Sequence, residues 1–246
     1  MCNQQSPSNT QIESAVYLLP VPLADGDVDR VLPDYNREVI LGLKNFVVEN
    51  LRSARRFLKR IDRSIDIDAL NLVELNEHTA PGEVAPMLDP LLKRGEPIGI
   101  LSEAGCPAVA DPGADLVAVA QRHGCKVVPL VGPSSILLAV MASGFNGQTF
   151  AFNGYLPVER QERARAIKRL QSRVISEHQT QIFIETPYRN NRLIDELTHS
   201  LPGDFRLCVA ADITGPGENI ISDTIKGWQK RQYDYAKTPT IFLIYN

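Results

Sequence analysis

Residues 97–133 read PIGILSEAGCPAVADPGADLVAVAQRHGCKVVPLVGP, and this stretch decides the fold of the chain. An apolar run at Ile98–Leu101 ends in a turn-rich loop, and a second turn, Asp111-Pro112-Gly113, opens an amphipathic segment. A β-rich run at Val127–Val131 then ends in Gly132-Pro133-Ser134-Ser135. The predicted order is strand, glycine-rich loop, helix, strand and second loop. In open α/β sheets such loops lie at the carboxyl ends of strands, where ligands bind. Small residues there let the backbone approach a ligand.

Composition limits the class of protein. The chain has 246 residues, 43% of them hydrophobic, which suffices for one large or two small domains. Its net charge of −3 argues against a protein that coats nucleic acid generally, but it allows a local basic face. Four cysteines without CxxC or zinc spacing fit a reducing cytoplasm. No apolar run approaches membrane-spanning length, so we expect a cytoplasmic protein without membrane contact.

The apolar pattern predicts two sets of strands separated by helical segments. The first set is expected at 16–19, 45–48, 72–75, 98–101 and 127–131, and the second at 149–153, 180–184, 206–210 and 241–245. Helices are expected around 51–58, 84–92, 136–143 and 160–174. We place a disordered tail at 1–14, an N-terminal α/β domain at 15–131 and a C-terminal α/β domain at 132–246. Periodicity alone leaves a single doubly wound domain as an equally good interpretation.

Several ordered motifs resemble the tetrapyrrole-methylase superfamily. They are SEAGCP at 102–107 with DPG at 111–113, PLVGPSS at 129–135, LPVP at 19–22, GYLP at 154–157 with Arg163, and ETPYR at 185–189. Within the superfamily they are most similar to the branch that methylates a ribose 2′-hydroxyl of small-subunit ribosomal RNA. The resemblance covers nearly everything after residue 14. It is more specific for the superfamily than for the substrate.

The resemblance implies a fold, a cofactor and partners. It implies two α/β domains with S-adenosylmethionine in the cleft between them, usually in a homodimer. It implies ribosomal RNA or the small ribosomal subunit as the partner. No metal is needed for such a transfer, and the sequence contains no metal-ligand cluster.

The resemblance places the cofactor first of all on the loop that contains Gly105. The expected cofactor-binding residues are Pro20, Ala104, Gly105, Cys106, Pro107, Val109, Ser134, Ser135, Glu185, Ala211 and Thr240. From the residues alone, an ordinary strand-to-helix turn is the favoured interpretation of the Gly105 loop, because Gly/Pro turns are common. Ser134 is equally a simple helix N-cap, and it can fill both roles.

A ribose hydroxyl is a poor nucleophile at neutral pH, so a base or a polarising contact is expected. Glu185, at the end of an apolar strand, is our first candidate, and Glu49 is the second. The expected substrate-binding residues are Arg52, Tyr155, Arg160, Arg163 and Arg189. Structural alternatives remain. Glu185 could cap the next helix, Glu49 could pair with Arg52, and the basic segment 160–173 could be a solvated helix face.

The sequence also departs from the ribosomal branch. Cys106 stands where that branch typically has Thr, Tyr188 where it has His, and Ala211 and Gly215 where it has Arg and Lys. The last two losses favour a rival, a methyltransferase that acts on a small molecule such as a tetrapyrrole. A second rival is a non-catalytic protein that binds S-adenosylmethionine. A nicotinamide enzyme is disfavoured because no GxGxxG follows a strand.

Overall fold

The computed structural model describes residues 12–246, so most of the predicted tail, residues 1–11, lies outside the described residues. Two compact units form, one of residues up to Pro22 with Asp27–Pro133, and one of Leu23–Gly26 with Ser134–Asn246. Their strands make two separate five-stranded sheets rather than one. The predicted α/β class is confirmed, and the single doubly wound sheet is not what forms. No helix in the described part of the chain is both long and apolar enough to cross a bilayer.

The first unit is a three-layer α/β/α structure. Its strands are β1 (Val16–Leu19), β2 (Asn45–Val48), β3 (Asn71–Glu74), β4 (Ile98–Leu101) and β5 (Val127–Pro129). Its helices are α1 (Asp34–Gly42), α2 (Leu51–Ile61), α3 (Pro81–Val84), α4 (Asp89–Arg94) and α5 (Gly113–Arg122). Short 3-10 turns occupy Val28–Arg30, Ile67–Ala69 and Ala85–Leu88.

All five strands of the first sheet are parallel, in the order β3-β2-β4-β1-β5. Residues from α1 and α2 pack on one face, and residues from α3, α4 and α5 pack on the other. Both faces are therefore covered, as parallel sheets require. The chain leaves β2 towards the β3 edge and leaves β4 towards the β5 edge. The carboxyl ends of β2 and β4 thus form the switch point at which ligands bind in open α/β sheets.

The second unit contains β6 (Phe150–Tyr155), β7 (Thr180–Ile184), β8 (Arg206–Ala211), β9 (Asn219–Thr224) and β10 (Thr240–Tyr245). Its helices are α6 (Ser135–Ser143), α7 (Arg160–Glu177), α8 (Asn190–Ser200) and α9 (Ile225–Trp228), with a 3-10 turn at Pro187–Arg189. The strand order is β6-β7-β10-β8-β9. Helices α7, α8 and α9 pack on one face of this sheet and α6 packs on the other.

The second sheet is mixed. β6 and β7 are parallel, whereas β10 is antiparallel to both β7 and β8, and β9 is antiparallel to β8. Strand β9 is absent from our sequence prediction, because its residues NIISDT carry polar side chains on both faces of an edge strand. The helix predicted around 84–92 is also wrong in detail. Pro86 and Pro90 break it into α3, a 3-10 turn and α4.

Candidate functional site

Three loops of the first unit meet where β1, β4 and β5 end. Val21, after β1, forms an antiparallel bridge with Gly105, after β4, through two N–H···O=C bonds of 2.9 Å. The Cys106 thiol lies 3.4 Å from the carbonyl oxygen of Pro133, after β5. A Cβ at residue 132 would overlap the Pro20 ring, so only glycine allows the third loop to approach the first. The predicted residues Pro20, Gly105 and Cys106 therefore lie together.

The Gly105 loop has an unusual backbone. Gly105 has φ 75°, and two residues with side chains, Ala108 and Ala110, also have positive φ, at 65° and 59°. A left-handed conformation costs roughly 1–2 kcal/mol for a residue other than glycine. Such outliers concentrate at ligand-binding and active sites, where the surroundings hold them in place. The loop is thus a shaped segment rather than an ordinary strand-to-helix turn.

Asp111 holds this backbone. One of its carboxylate oxygens accepts the N–H of Ala108 at 2.8 Å, and the other accepts the N–H of Gly113, at the start of α5, at 2.6 Å. Burial raises the pKa of Asp111 to about 6, against the lowering effect of these two hydrogen bonds, and the nearby Glu49 carboxylate raises it further. Sequence reasoning missed this role. Asp-Pro-Gly directly after a small-residue loop is the signal that could have found it.

Glu49 lies at the switch point, immediately after β2. Its Oε2 accepts the N–H of Glu103 at 2.9 Å, which ties the end of β2 to the loop after β4. The structural alternative, an ion pair with Arg52, does not form among the described residues, and Arg52 is exposed. Instead, the side chain of Asn50 caps α2 by accepting the N–H groups of Arg52 at 2.9 Å and Ser53 at 3.1 Å.

The loop residues differ in burial, and burial affects the protonation of Cys106. It raises the pKa of the Cys106 thiol, which is therefore neutral at pH 7. Pro107 is buried, whereas Ala104 is exposed and Val109 is 50% exposed. Neither Glu49 nor Asp111 has an ion-pair partner among the described residues, so two carboxylates next to the loop lack a cation. Among residues 12–246 no group of three or more His, Cys, Asp or Glu could hold a metal ion.

In the second unit, Glu185 and Tyr155 lie at the carboxyl ends of the parallel neighbours β7 and β6. The Glu185 side chain is 2% exposed. Its Oε1 accepts the Nε and a terminal nitrogen of Arg189 at 3.0 and 2.7 Å, and the N–H of Thr186 at 2.7 Å. Tyr155 is 63% exposed. The predicted substrate residues Tyr155 and Arg189 are thus brought close to the first candidate base.

Arg163 is placed differently from our expectation. Its side chain is 4% exposed and forms a two-pronged ion pair with Glu196, at 2.5 and 2.7 Å. It also donates to the carbonyl oxygens of Pro157 at 3.1 Å and Val158 at 2.7 Å. Our expectation that Arg163 contacts the substrate is therefore wrong: its side chain makes contacts within the protein instead. Arg163 supports the turn that follows Tyr155.

The other cations of α7 face solvent: Arg160, Arg165, Lys168, Arg169 and Arg173 are all exposed. Ser134 is the N-cap of α6, where its Oγ accepts the N–H of Leu137 at 3.5 Å. Ser135 is the first residue of that helix and is partly exposed. Ser134 is therefore a helix N-cap, as one interpretation of the sequence expected. Its contact with the cofactor remains a prediction.

Ala211 and Thr240 lie directly opposite each other in the β8–β10 ladder, and both are buried. The Thr240 hydroxyl is engaged with Asn190 at 3.1 Å and with the carbonyl oxygen of Thr238 at 2.9 Å. A side chain at Gly215, where the family's Lys would stand, would overlap the Asp212 carboxylate. Asp212 also accepts the N–H of Gly217 at 2.7 Å. A side chain at position 215 would therefore require the Asp212 carboxylate to move.

Comparison with solved structures supports the fold. The chain resembles two solved methyltransferase structures in fold. The methyltransferase CobJ matches with a TM-score of 0.61 and 17% identity, covering 94% of this chain and 92% of that one. Uroporphyrin-III-C-methyltransferase from Thermus thermophilus matches with a TM-score of 0.53 and 16% identity, with the same coverage. At these identities the likeness shows the fold alone.

Sequence comparison is more specific. The model of the family Tetrapyrrole (Corrin/Porphyrin) Methylases matches residues 23–228. A protein from Vibrio cholerae named Ribosomal RNA small subunit methyltransferase I is 31% identical over 206 residues, 83% of this chain and 67% of the relative. The protein of the same name from Mesorhizobium japonicum is 31% identical over 233 residues, 93% and 73% of the two chains. The chain belongs to the tetrapyrrole methylase family, and the protein is a methyltransferase.

Proposed function

We propose that this protein transfers the methyl group of S-adenosylmethionine to a ribose 2′-hydroxyl of small-subunit ribosomal RNA. The relatives that carry that name support the choice of acceptor. The observation that carries the proposal is the shaped Gly105 loop, tied to Val21 and held by Asp111 at the carboxyl edge of the first sheet. A ligand site at that edge is what the topology predicts.

The chemistry of the first unit fits this cofactor. A sulfonium and an ammonium group make it cationic at one end, and the carboxylates of Glu49 and Asp111, which have no ion-pair partner among the described residues, lie beside the loop. The small residues Ala104 and Gly105 leave room for backbone contacts. The neutral Cys106 thiol adds no opposing charge. The loop residues from Ala104 to Val109, with Pro20, would hold the cofactor. The predicted contacts of Ser134, Ser135, Ala211 and Thr240 are part of the same proposal, whereas we assign Glu185 to the acceptor hydroxyl rather than to the cofactor.

When bound, S-adenosylmethionine supplies a methyl group that is already activated for transfer. The work left to the chain is positioning, which can supply much of the reduction in barrier. We propose that Glu185 polarises the acceptor hydroxyl. All the hydrogen bonds given above for its carboxylate go to Oε1, so Arg189 fixes the group while Oε2 takes no part in those bonds. Glu49 is the second candidate, although its Oε2 already accepts the N–H of Glu103.

We also propose a homodimer. Helix α6 is apolar around its whole circumference, yet Leu137 is 53% and Met141 is 77% exposed, one helical turn apart. Exposed apolar helix faces of this kind mark interaction sites. Light scattering on the purified protein should give twice the mass of one chain, and Met141→Glu should halve it. A monomeric wild-type protein would contradict this part of the proposal.

The described cysteines Cys106, Cys125 and Cys208 are all free. Free cysteines are typical of proteins in a reducing compartment, so we propose that the enzyme acts in the cytoplasm, where ribosomal subunits are available.

The proposal is tested by supplying methyl-labelled S-adenosylmethionine with three acceptors in parallel: small ribosomal subunits from cells lacking this protein, large subunits, and a tetrapyrrole. We expect label in the small-subunit RNA only. Label in the tetrapyrrole would favour the alternative of a methyltransferase that acts on a small molecule. The absence of the family's Lys at Gly215 supports that alternative. Cofactor binding without transfer to any acceptor would favour a binding protein.

A further inference from the structure

Helix α2 has two sharply different faces. Ala54, Phe57, Leu58 and Ile61 are buried against the first sheet. The opposite face consists of cations, all exposed: Arg52, Arg55, Arg56, Lys59 and Arg60. At 100° per residue, these five side chains fall within an arc of roughly 140°. They form a continuous basic strip, here called the α2 basic face.

The stability of the helix does not explain this strip. No acidic residue occurs within α2, and no ion pair among the described residues involves Arg52, Arg55 or Arg56. Like charges four residues apart, such as Arg52 with Arg56, destabilise a helix by about 0.2–0.5 kcal/mol a pair. A cation in the first turn also opposes the helix dipole, although Lys59 and Arg60 in the last turn favour it. The first half of the strip is therefore a local cost to folding.

The strip starts at the candidate site. Helix α2 begins two residues after Glu49, whose carboxylate is bonded to the loop that contains Gly105. Because the carboxyl ends of parallel strands share one edge, the first turns of α2 lie at the edge where that loop lies. Arg52 and Arg56 are separated by about 6 Å along the helix axis. A polyanion that enters this edge would therefore meet these guanidinium groups, which bind phosphate in bidentate fashion.

We propose that the α2 basic face binds the phosphodiester backbone of the ribosomal RNA next to the acceptor nucleotide. This inference rests on the proposed function, and it assigns the RNA contact to the first unit in addition to the predicted contacts of α7. The basic face supplies affinity and register rather than base recognition, because phosphate contacts carry no sequence information.

The test is the double variant Arg55→Gln/Arg56→Gln, which leaves Arg52 and Glu49 unchanged. We expect KM for small ribosomal subunits to rise about tenfold at 0.1 M salt, with kcat and the Kd for S-adenosylmethionine unchanged. The slope of log(kcat/KM) against log[salt] should become shallower by about 1.5, because roughly 0.7–0.9 of a counterion is released for each phosphate contact. The free energy of unfolding of this variant should equal or exceed the wild-type value. If the two arginines had a structural role, their replacement would lower it.

A matched control is Lys44→Gln/Arg122→Gln, which removes the same charge from exposed positions at the opposite edge of the sheet, before β2 and at the end of α5. It should leave KM and the salt slope at wild-type values. An equal loss in both double variants would overturn the inference in favour of a general charge effect. An Arg55→Gln/Arg56→Gln variant with wild-type KM and salt slope would overturn the inference about the α2 basic face. The proposed function would still stand if the wild-type protein methylates the RNA. A wild-type protein that neither binds nor methylates the RNA would overturn both.

Discussion

Val21 and Gly105 exchange two backbone hydrogen bonds, N–H of each to C=O of the other, with both N···O distances 2.9 Å. This pair joins the end of β1 to the loop after β4, so the loop is bound to the sheet before any ligand arrives. Gly105 has φ 75°, and Ala108 and Ala110 follow it in the same left-handed region. A loop held in advance does not have to be ordered on binding, which preserves affinity.

Gly105→Ala tests the shape of the loop. A Cβ at positive φ is strained by roughly 1–2 kcal/mol, so we expect a comparable loss of stability and at least a tenfold rise in the Kd for S-adenosylmethionine. Gly124→Ala is the control, because Gly124 also has positive φ, 67°, but follows α5 away from the loop. It should cost similar stability, measured by urea unfolding, and leave the calorimetric Kd unchanged. Equal Kd values for the two variants would refute a role of Gly105 in binding.

Asp111 should make stability depend on pH. Its pKa is about 6 in the folded protein, above the ordinary 3.8, so the folded state binds the proton more tightly than the unfolded state. The stability gained from that proton is fully present below about pH 4 and is lost as the pH rises through about 6. Relative to Asp111→Asn, the wild-type free energy of unfolding should fall between pH 4 and 7.

Urea unfolding at several pH values measures this difference. Asp115→Asn, which alters an exposed carboxylate in the first turn of α5, serves as the control and should follow the wild-type profile. Parallel curves for the wild type and Asp111→Asn would show that Asp111 titrates equally in the folded and unfolded states.

Glu185→Gln separates catalysis from cofactor binding. If its carboxylate polarises the acceptor hydroxyl, kcat should fall at least about 100-fold, while the Kd for S-adenosylmethionine changes less than threefold. Glu49→Gln should behave oppositely, because it removes the negative charge that we propose lies beside the cationic end of the cofactor, while its amide oxygen can still accept the N–H of Glu103. Single-turnover rates and calorimetry provide both numbers. A Glu185→Gln variant with wild-type kcat would remove Glu185 from the mechanism.

Arg163→Met should damage the fold rather than the RNA contact. It removes the ion pair with Glu196 and two hydrogen bonds to the turn at Pro157 and Val158, so we expect a loss of roughly 2–4 kcal/mol in the free energy of unfolding. Arg160→Met, exposed at the start of the same helix, should stay within about 0.5 kcal/mol. Chemical denaturation of both variants decides between the two roles, and a fully stable Arg163→Met would return Arg163 to the substrate-binding set.

The first sheet could be predicted because buried parallel strands are short continuous apolar runs. β1, β2 and β4 have the predicted bounds, and β3 is shifted by one residue. The second sheet was harder, since antiparallel pairing depends on which distant strands become neighbours. The edge strand β9 carries no apolar run to reveal it.

The candidate site could likewise be predicted only in part. The glycine-rich loop was visible as a motif, but the positive φ of Ala108 and Ala110 and the grip of Asp111 arise only from tertiary packing. The buried position of Arg163 could have been recognised from the sequence. It precedes Ala166, Ile167 and Leu170 at helical spacing on the buried face of α7, which marks an inward-facing position.

The most direct test of the central claim locates the methyl group. Small ribosomal subunits from cells lacking this protein are incubated with the enzyme and methyl-labelled S-adenosylmethionine, and the RNA is then hydrolysed with alkali. A 2′-O-methyl group blocks cleavage of the adjacent phosphodiester bond, so our account predicts that the label is recovered in an alkali-resistant dinucleotide, and that Gly105→Ala lowers its yield at limiting cofactor. Label in mononucleotides, or no label despite measured cofactor binding, would contradict it.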